Sequence, residues 1–159
     1  MGHRELGMLL LLVATFCLGC AEPTESAGGS TVGGSAQSRA KVAVISITSD
    51  PLIDLQEVNM GLTFAGFCVD ERYDVNIFLN VKGVKLATNE FPEDTKFQDH
   101  DPLKKPLVAL AERGVQVHVC PVCMKDFSIE SNQIIPDAFV TSKPKLFAKL
   151  GADTMVFTY

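Results

Sequence analysis

Three short runs rich in β-branched and other apolar residues constrain this chain most: KVAVISI (41–47), DVNIFLNV (74–81) and VQVHVC (115–120). The first two are nearly continuous in apolar character, as expected for strands covered on both faces. Between the runs the apolar period changes from that of a strand to that of a helix. Leu55, Val58, Leu62, Ala65 and Val69 recur at helical spacing, and Asp54 and Glu57 stand where a capping box would start the helix, so a helix is predicted over about 54–70. A polar stretch from Thr88 to Asp101 reads as a loop, with a helix beginning at Pro102 or Pro106 and stopping at Gly114 after PLVALAERG. The chain closes with a short strand in DAFVTS, a helix in KPKLFAKLG and a last strand in DTMVFTY. Strands alternating with helices specify an α/β sandwich around a mostly parallel sheet. Of the 159 residues 47% are hydrophobic, enough for one domain with a core. The net charge of −5 and the absence of a basic stripe argue against a nucleic-acid partner. No GxGxxG or P-loop is present, so no nucleotide cofactor is expected, and none of any other kind.

The first forty residues follow other rules. LGMLLLLVATFCLG is apolar but short for a membrane span, and it fits the core of a signal peptide over 1–19. It ends in CLGC, which resembles a bacterial lipoprotein signal, with Gly19 before a Cys20 that would be lipidated and become the mature N-terminus. The alternative is an ordinary signal peptide cut near Gly19 or Ala21. AEPTESAGGSTVGGSAQS is too poor in apolar residues to fold, and reads as a tether over 20–40. About twenty such residues reach roughly 25 Å. The expected product is exported and membrane-anchored in the cell envelope or periplasm through its lipid alone, or otherwise secreted, with the folded domain spanning 41–159.

HVCPVCMKD (118–126) holds the candidate chemistry. Cys120 ends the third strand, and in open parallel sheets reactive groups gather at the carboxyl ends of strands. Pro121 suits the first position of a helix. Cys120 is then an N-cap, and Cys123 lies in the first turn. A thiolate is stabilised by the N–H groups and dipole of a helix start, where cysteine pKa values of about 3.5–7.5 occur. Cys120 is therefore expected to be the nucleophile. Alternation places Gln116, His118 and Cys120 on one face of the strand and Val115, Val117 and Val119 on the other. His118 is positioned to assist Cys120, or to serve as a hydrogen-bonded core or interface residue. Cys68, near the end of the first helix, reads as core.

The pair supports several chemistries. CxxC is the motif of dithiol oxidoreductases, although in thioredoxin-like domains it follows the first strand and here it follows the third. It is also half of a zinc site, but no second CxxC or HxxxH completes a tetrahedral set. His118 and His100 remain as further ligands for a looser metal site. A structural pair, reduced or disulfide-bonded, needs no chemistry at all. A persulfide carrier needs one accessible thiolate, with a second thiol to release the sulfur by exchange.

The order of KGVKLA, LAERGVQVHVCPVC and LGADTMVFTY resembles the DsrE/DsrF-like family of small α/β proteins, many of them in sulfur relay. The resemblance covers about residues 41–159. It implies a three-layer α/β/α sandwich with a parallel sheet of about five strands, often assembled as homo-oligomers. It also implies a persulfide on Cys120 with Cys123 as resolving thiol, and as partners sulfur donor and acceptor proteins or small polysulfides. The alternative within the same fold is a non-enzymatic binding or assembly module, with or without a metal held by Cys120, Cys123 and His118.

Overall fold

The computed structural model describes residues 41–159. The signal peptide over 1–19, the tether over 20–40 and the lipidation of Cys20 lie outside the described residues. The elements run β1 (Val42–Ile47), α1 (Leu55–Asp70), β2 (Asp74–Leu79), α2 (Lys104–Glu112), β3 (Gln116–Val119), α3 (Pro121–Asp126), β4 (Phe139–Val140), α4 (Lys143–Phe147) and β5 (Thr154–Thr158). A 3-10 turn over Val81–Ala87 follows β2, and a shorter one over Ser131–Gln133 precedes β4. Among the described residues no helix is long and apolar enough to cross a membrane.

All four strand pairings are parallel, in the order β4-β3-β2-β1-β5. The chain steps outward from β1 to β4 and then returns to pair β5 with β1. Right-handed crossovers in one direction share a face, and the return crossover takes the other. Helices α1 and α2 accordingly pack together on one side. On the other side lies the α4 segment, where Lys145 Nζ sits 5.3 Å from the Phe139 ring centroid and Lys149 approaches Asp74 at 3.9 Å. This is a three-layer α/β/α sandwich.

The inner face is apolar throughout: Ala43, Ile45 and Ile47 of β1, Val75, Ile77 and Leu79 of β2, and Val117 and Val119 of β3 are all buried. Against it α1 lays Val58, Leu62, Ala65 and Cys68, and α2 lays Leu107 and Leu110. Phe64 of α1 meets Phe157 of β5 edge to face at 4.6 Å. Gly114 takes φ +93 just past α2, a left-handed stop that a side chain would strain.

Several local expectations change. The capping box at α1 does not form: Asp54 is the N-cap but accepts from the N–H of Asp50, and Glu57 accepts from the Ser49 hydroxyl at 2.5 Å. Both carboxylates find better donors in the preceding turn than in the helix end. β2 stops at Leu79 because Val81 enters left-handed space at φ +47. The helix start is Lys104, with Pro106 inside the first turn, where its missing N–H leaves no bond unmade. The fourth strand shrinks to two residues, because Ser142 leaves the ladder to accept from the N–H of Lys145 and cap α4.

Candidate functional site

Cys120 stands at the seam between strand and helix. Its N–H still donates to Leu79 O (3.0 Å) in the ladder with β2, while its carbonyl accepts the first helical bond from Met124 (3.0 Å). Its backbone is extended, at φ −72 and ψ 114, and its side chain caps nothing. The thiol is therefore free for chemistry at the carboxyl end of an interior strand. Pro121 occupies the first helical position as the sequence implies. Helix α3 has only six residues, so its dipole is a smaller contribution than the sequence suggested.

Cys123 lies one turn on, and both thiols are half-buried and free of any disulfide. The Cys123 thiol is pushed above its ordinary pKa, first by burial and then by its hydrogen bond to Cys120, with Cys120 and Asp126 also disfavouring a second negative charge. One group opposes the rise: the N–H of Val81, which donates to Cys123 Sγ at 3.1 Å. Cys123 thus keeps its proton at neutral pH.

The rim is set by residues that follow β1 and β2. The Lys85 ammonium pairs with Asp50 at 2.7 Å and lies 5.1 Å from the Phe127 ring centroid, tying the end of β1, the 3-10 turn and the segment after α3 together. Burial pushes the Asp50 carboxyl up, but the Lys85 bond and charge, the Leu52 N–H and the Lys82 charge together hold it below the usual value. Val81 and Val122 are exposed beside the thiols, at 51% and 67%. A cleft of about 620 Å³ lies elsewhere, lined by residues that include Glu93, Lys104 and Glu112, so volume does not mark the site.

His118 shares a face with Cys120 but is turned to other work. The ring is 1% exposed, with Nδ1 2.9 Å from Thr141 Oγ1, Nε2 3.3 Å from Asn76 Oδ1, and Phe139 packed edge-on at 4.6 Å. Burial first, then the Lys149 and Lys145 charges, hold its pKa below the ordinary value, so it is neutral at pH 7. Both nitrogens are engaged, and neither bond is to a thiol. His100 sits in the loop before α2, its Nδ1 3.4 Å from Asn59 Nδ2. Among the described residues no three His, Cys, Asp or Glu side chains gather as a metal-binding group, so Cys120, Cys123 and His118 do not form the ligand set of the metal-bound form of the binding module. Cys68 is buried in the core, its thiol pushed up by burial.

Two residues of the site had no signal of their own in the sequence. Val81 reaches Cys123 across 42 residues of chain. Asn80 donates to Ser46 Oγ at 3.2 Å, and its Oδ1 is buried with no partner among the described residues.

The described residues thus form a small parallel α/β sandwich with two free cysteines at the carboxyl end of an interior strand. The DsrE/DsrF-like family model matches residues 41–157, and the chain belongs to that family. Among solved structures it is similar to the ychN protein from E. coli, at 20% identity and a TM-score of 0.61 over 75% of this chain and 99% of that one. It is also similar to MTH1491 from Methanobacterium thermoautotrophicum, a protein of unknown function, at 11% identity and a TM-score of 0.56 over 74% and 99%. These likenesses show the fold. No curated protein matches the chain.

Proposed function

We propose that the domain carries sulfane sulfur as a persulfide on Cys120, with Cys123 as the resolving thiol. The observation that carries this reading is the uncapped Cys120 side chain at the end of β3, with the free Cys123 thiol one turn on in α3. In loading, the Cys120 thiolate attacks the terminal sulfur of a donor persulfide or polysulfide, and the donor leaves as its own thiolate or shortened polysulfide. In delivery, an acceptor thiolate attacks the terminal sulfur of Cys120–S–SH, and Cys120 leaves as thiolate. In release, Cys123 attacks the inner sulfur, hydrosulfide departs with the Cys123 proton, and a Cys120–Cys123 disulfide remains.

Intact mass after incubation of the reduced protein with polysulfide tests this. Wild type gains the mass of one sulfur atom, which reductant removes. Cys120→Ser gains none, and Cys123→Ser gains it and holds it longer. Loading that survives Cys120→Ser defeats the reading.

A thiol–disulfide oxidoreductase is the second reading, favoured by two free thiols one turn apart at the start of α3. It calls for disulfide exchange with a protein dithiol and no sulfur retained. We further propose export with a lipid anchor on Cys20, on the sequence of the first forty residues. The exposed Val156 and Phe147, on the strand and helix that close the outer face, support assembly as a homo-oligomer.

A further inference from the structure

The turn after β2 is built under strain. Val81 is β-branched yet sits at φ +47, in left-handed space that such residues avoid. Strain of this kind, of order 1–3 kcal/mol, persists only where the surroundings leave the chain no alternative. Here they leave none. The N–H of Asn80 donates to Ile47 O at 3.1 Å, that of Lys82 to Thr48 O at 3.2 Å, and that of Gly83 to Asn80 O at 2.8 Å. A Cβ on Gly83 would collide with the Ile47 carbonyl. The result of this pinning is one feature: the Val81 N–H is fixed on the sulfur of Cys123 and not on that of Cys120.

A donor fixed on one sulfur of a pair matters most when that sulfur must leave as an anion. Burial makes Cys123 a poor leaving group, and the Val81 N–H is the one contact that opposes this, acting on Cys123 alone. A disulfide breaks toward the better leaving thiolate, so a donor fixed on one sulfur of the pair favours departure of that sulfur.

Resting on the reading of Cys120 as the persulfide site, we propose that the oxidised CPVC pair captures inorganic hydrosulfide directly, with Val81 as the positioning residue that makes Cys123 the leaving group. The step is HS⁻ + Cys120–S–S–Cys123 → Cys120–S–SH + Cys123–S⁻. One S–S bond breaks and one forms. The disulfide is the oxidant, the sulfur of hydrosulfide is oxidised to the sulfane level, and Cys123 takes the electron pair and then a proton from water. The disulfide is regenerated, after the sulfane sulfur has been delivered, by exchange with a disulfide-bearing oxidant, a class of reagent that oxidising compartments supply. The domain would then both make and carry sulfane sulfur.

The test uses the full chain, oxidised with diamide, desalted and treated anaerobically with sodium sulfide. Thiols are blocked with iodoacetamide, and peptide mass mapping separates Cys120 and Cys123 from the other cysteines. Reduced protein given polysulfide runs alongside. The expected result is the extra sulfur on Cys120 over Cys123 by at least about tenfold, the range of a hydrogen bond to a charged group. Gly83→Ala, which forces the turn away from the Ile47 carbonyl and so moves the Val81 amide off the sulfur, reduces that preference. Val81→Asn, which tolerates the same backbone, keeps it. If reduced protein loads from polysulfide but the oxidised pair takes nothing from sulfide, the inference falls and the carrier reading stands. If neither form loads, both fall. Sulfur appearing chiefly on Cys123, or a folded Gly83→Ala variant with wild-type preference, overturns the role of Val81.

Discussion

Replacing His118 with alanine separates a structural histidine from a catalytic one. The side chain is fully buried, and its removal leaves a ring-sized void and deprives Asn76 Oδ1, itself 0% exposed, of its partner. An orphaned buried polar group costs about 1–3 kcal/mol, and deletion of a buried ring costs about 3–5 kcal/mol in all. Thr141 keeps some contact with solvent and its hydroxyl can turn, so the lower part of the combined range applies. A loss of about 3–5 kcal/mol lowers Tm by roughly 10–20 °C in a domain of this size. The same ring predicts a pH dependence. Unfolded, the imidazole takes its proton near 6.5, whereas the folded site resists it. The unfolded state therefore binds more protons below that pH. Stability is fully present above about 6.5 and is lost as pH falls from there toward the depressed folded value, by at most about 1.4 kcal/mol per pH unit. The assay is thermal and denaturant unfolding from pH 5 to 8 beside the iodoacetamide rate of Cys120. His118→Ala is expected to be less stable, to lose this component of the pH slope, and to alkylate at Cys120 within about twofold of wild type when folded. Unchanged stability with much slower alkylation would refute the reasoning and make His118 a partner of the thiol.

Further outcomes follow from the rim and from the first forty residues. Gly83→Ala forces a Cβ onto the Ile47 carbonyl and is expected to destabilise by about 1–3 kcal/mol, read as a lower denaturant midpoint with unchanged slope. Lys85→Met strands the buried Asp50 carboxylate, at a cost of about 3 kcal/mol at pH 7. In wild type the Asp50 contribution is present above its ordinary pKa of 3.8 and lost as pH falls through the lower folded value, so this part of the penalty in the variant narrows only below about 3.8. Cys20→Ser is expected to move the protein from membranes to the soluble fraction, and a soluble wild type with no acyl mass would replace the anchor with simple secretion.

The sheet was legible because its strands are runs of β-branched residues, and the helices because Leu55 to Val69 and PLVALAERG keep a helical period. The strand boundaries were not, since they depend on events beyond local pattern: the left-handed Val81 that ends β2, and the Ser142 cap that ends β4. Asp54 and Glu57 matched a capping box in spacing, but spacing cannot weigh them against the Ser49 hydroxyl and the Asp50 N–H. At the site, CPVC announced itself and its place at a strand end followed from Pro121. The fate of His118 did not follow, because its partners come from β2 and the segment after β4, and only the sheet order brings these together. The Val81 contact was equally hidden, being a backbone donor 42 residues from the sulfur it meets.

Cold cyanolysis of the reduced, polysulfide-treated protein tests the persulfide on Cys120 most directly, because cyanide removes sulfane sulfur as thiocyanate and leaves disulfides of the CxxC type uncounted. Wild type and Cys123→Ser are each expected to yield about one thiocyanate per chain, and Cys120→Ser none. Thiocyanate from the Cys120→Ser protein, or none from wild type, would contradict the assignment of Cys120 as the carrier.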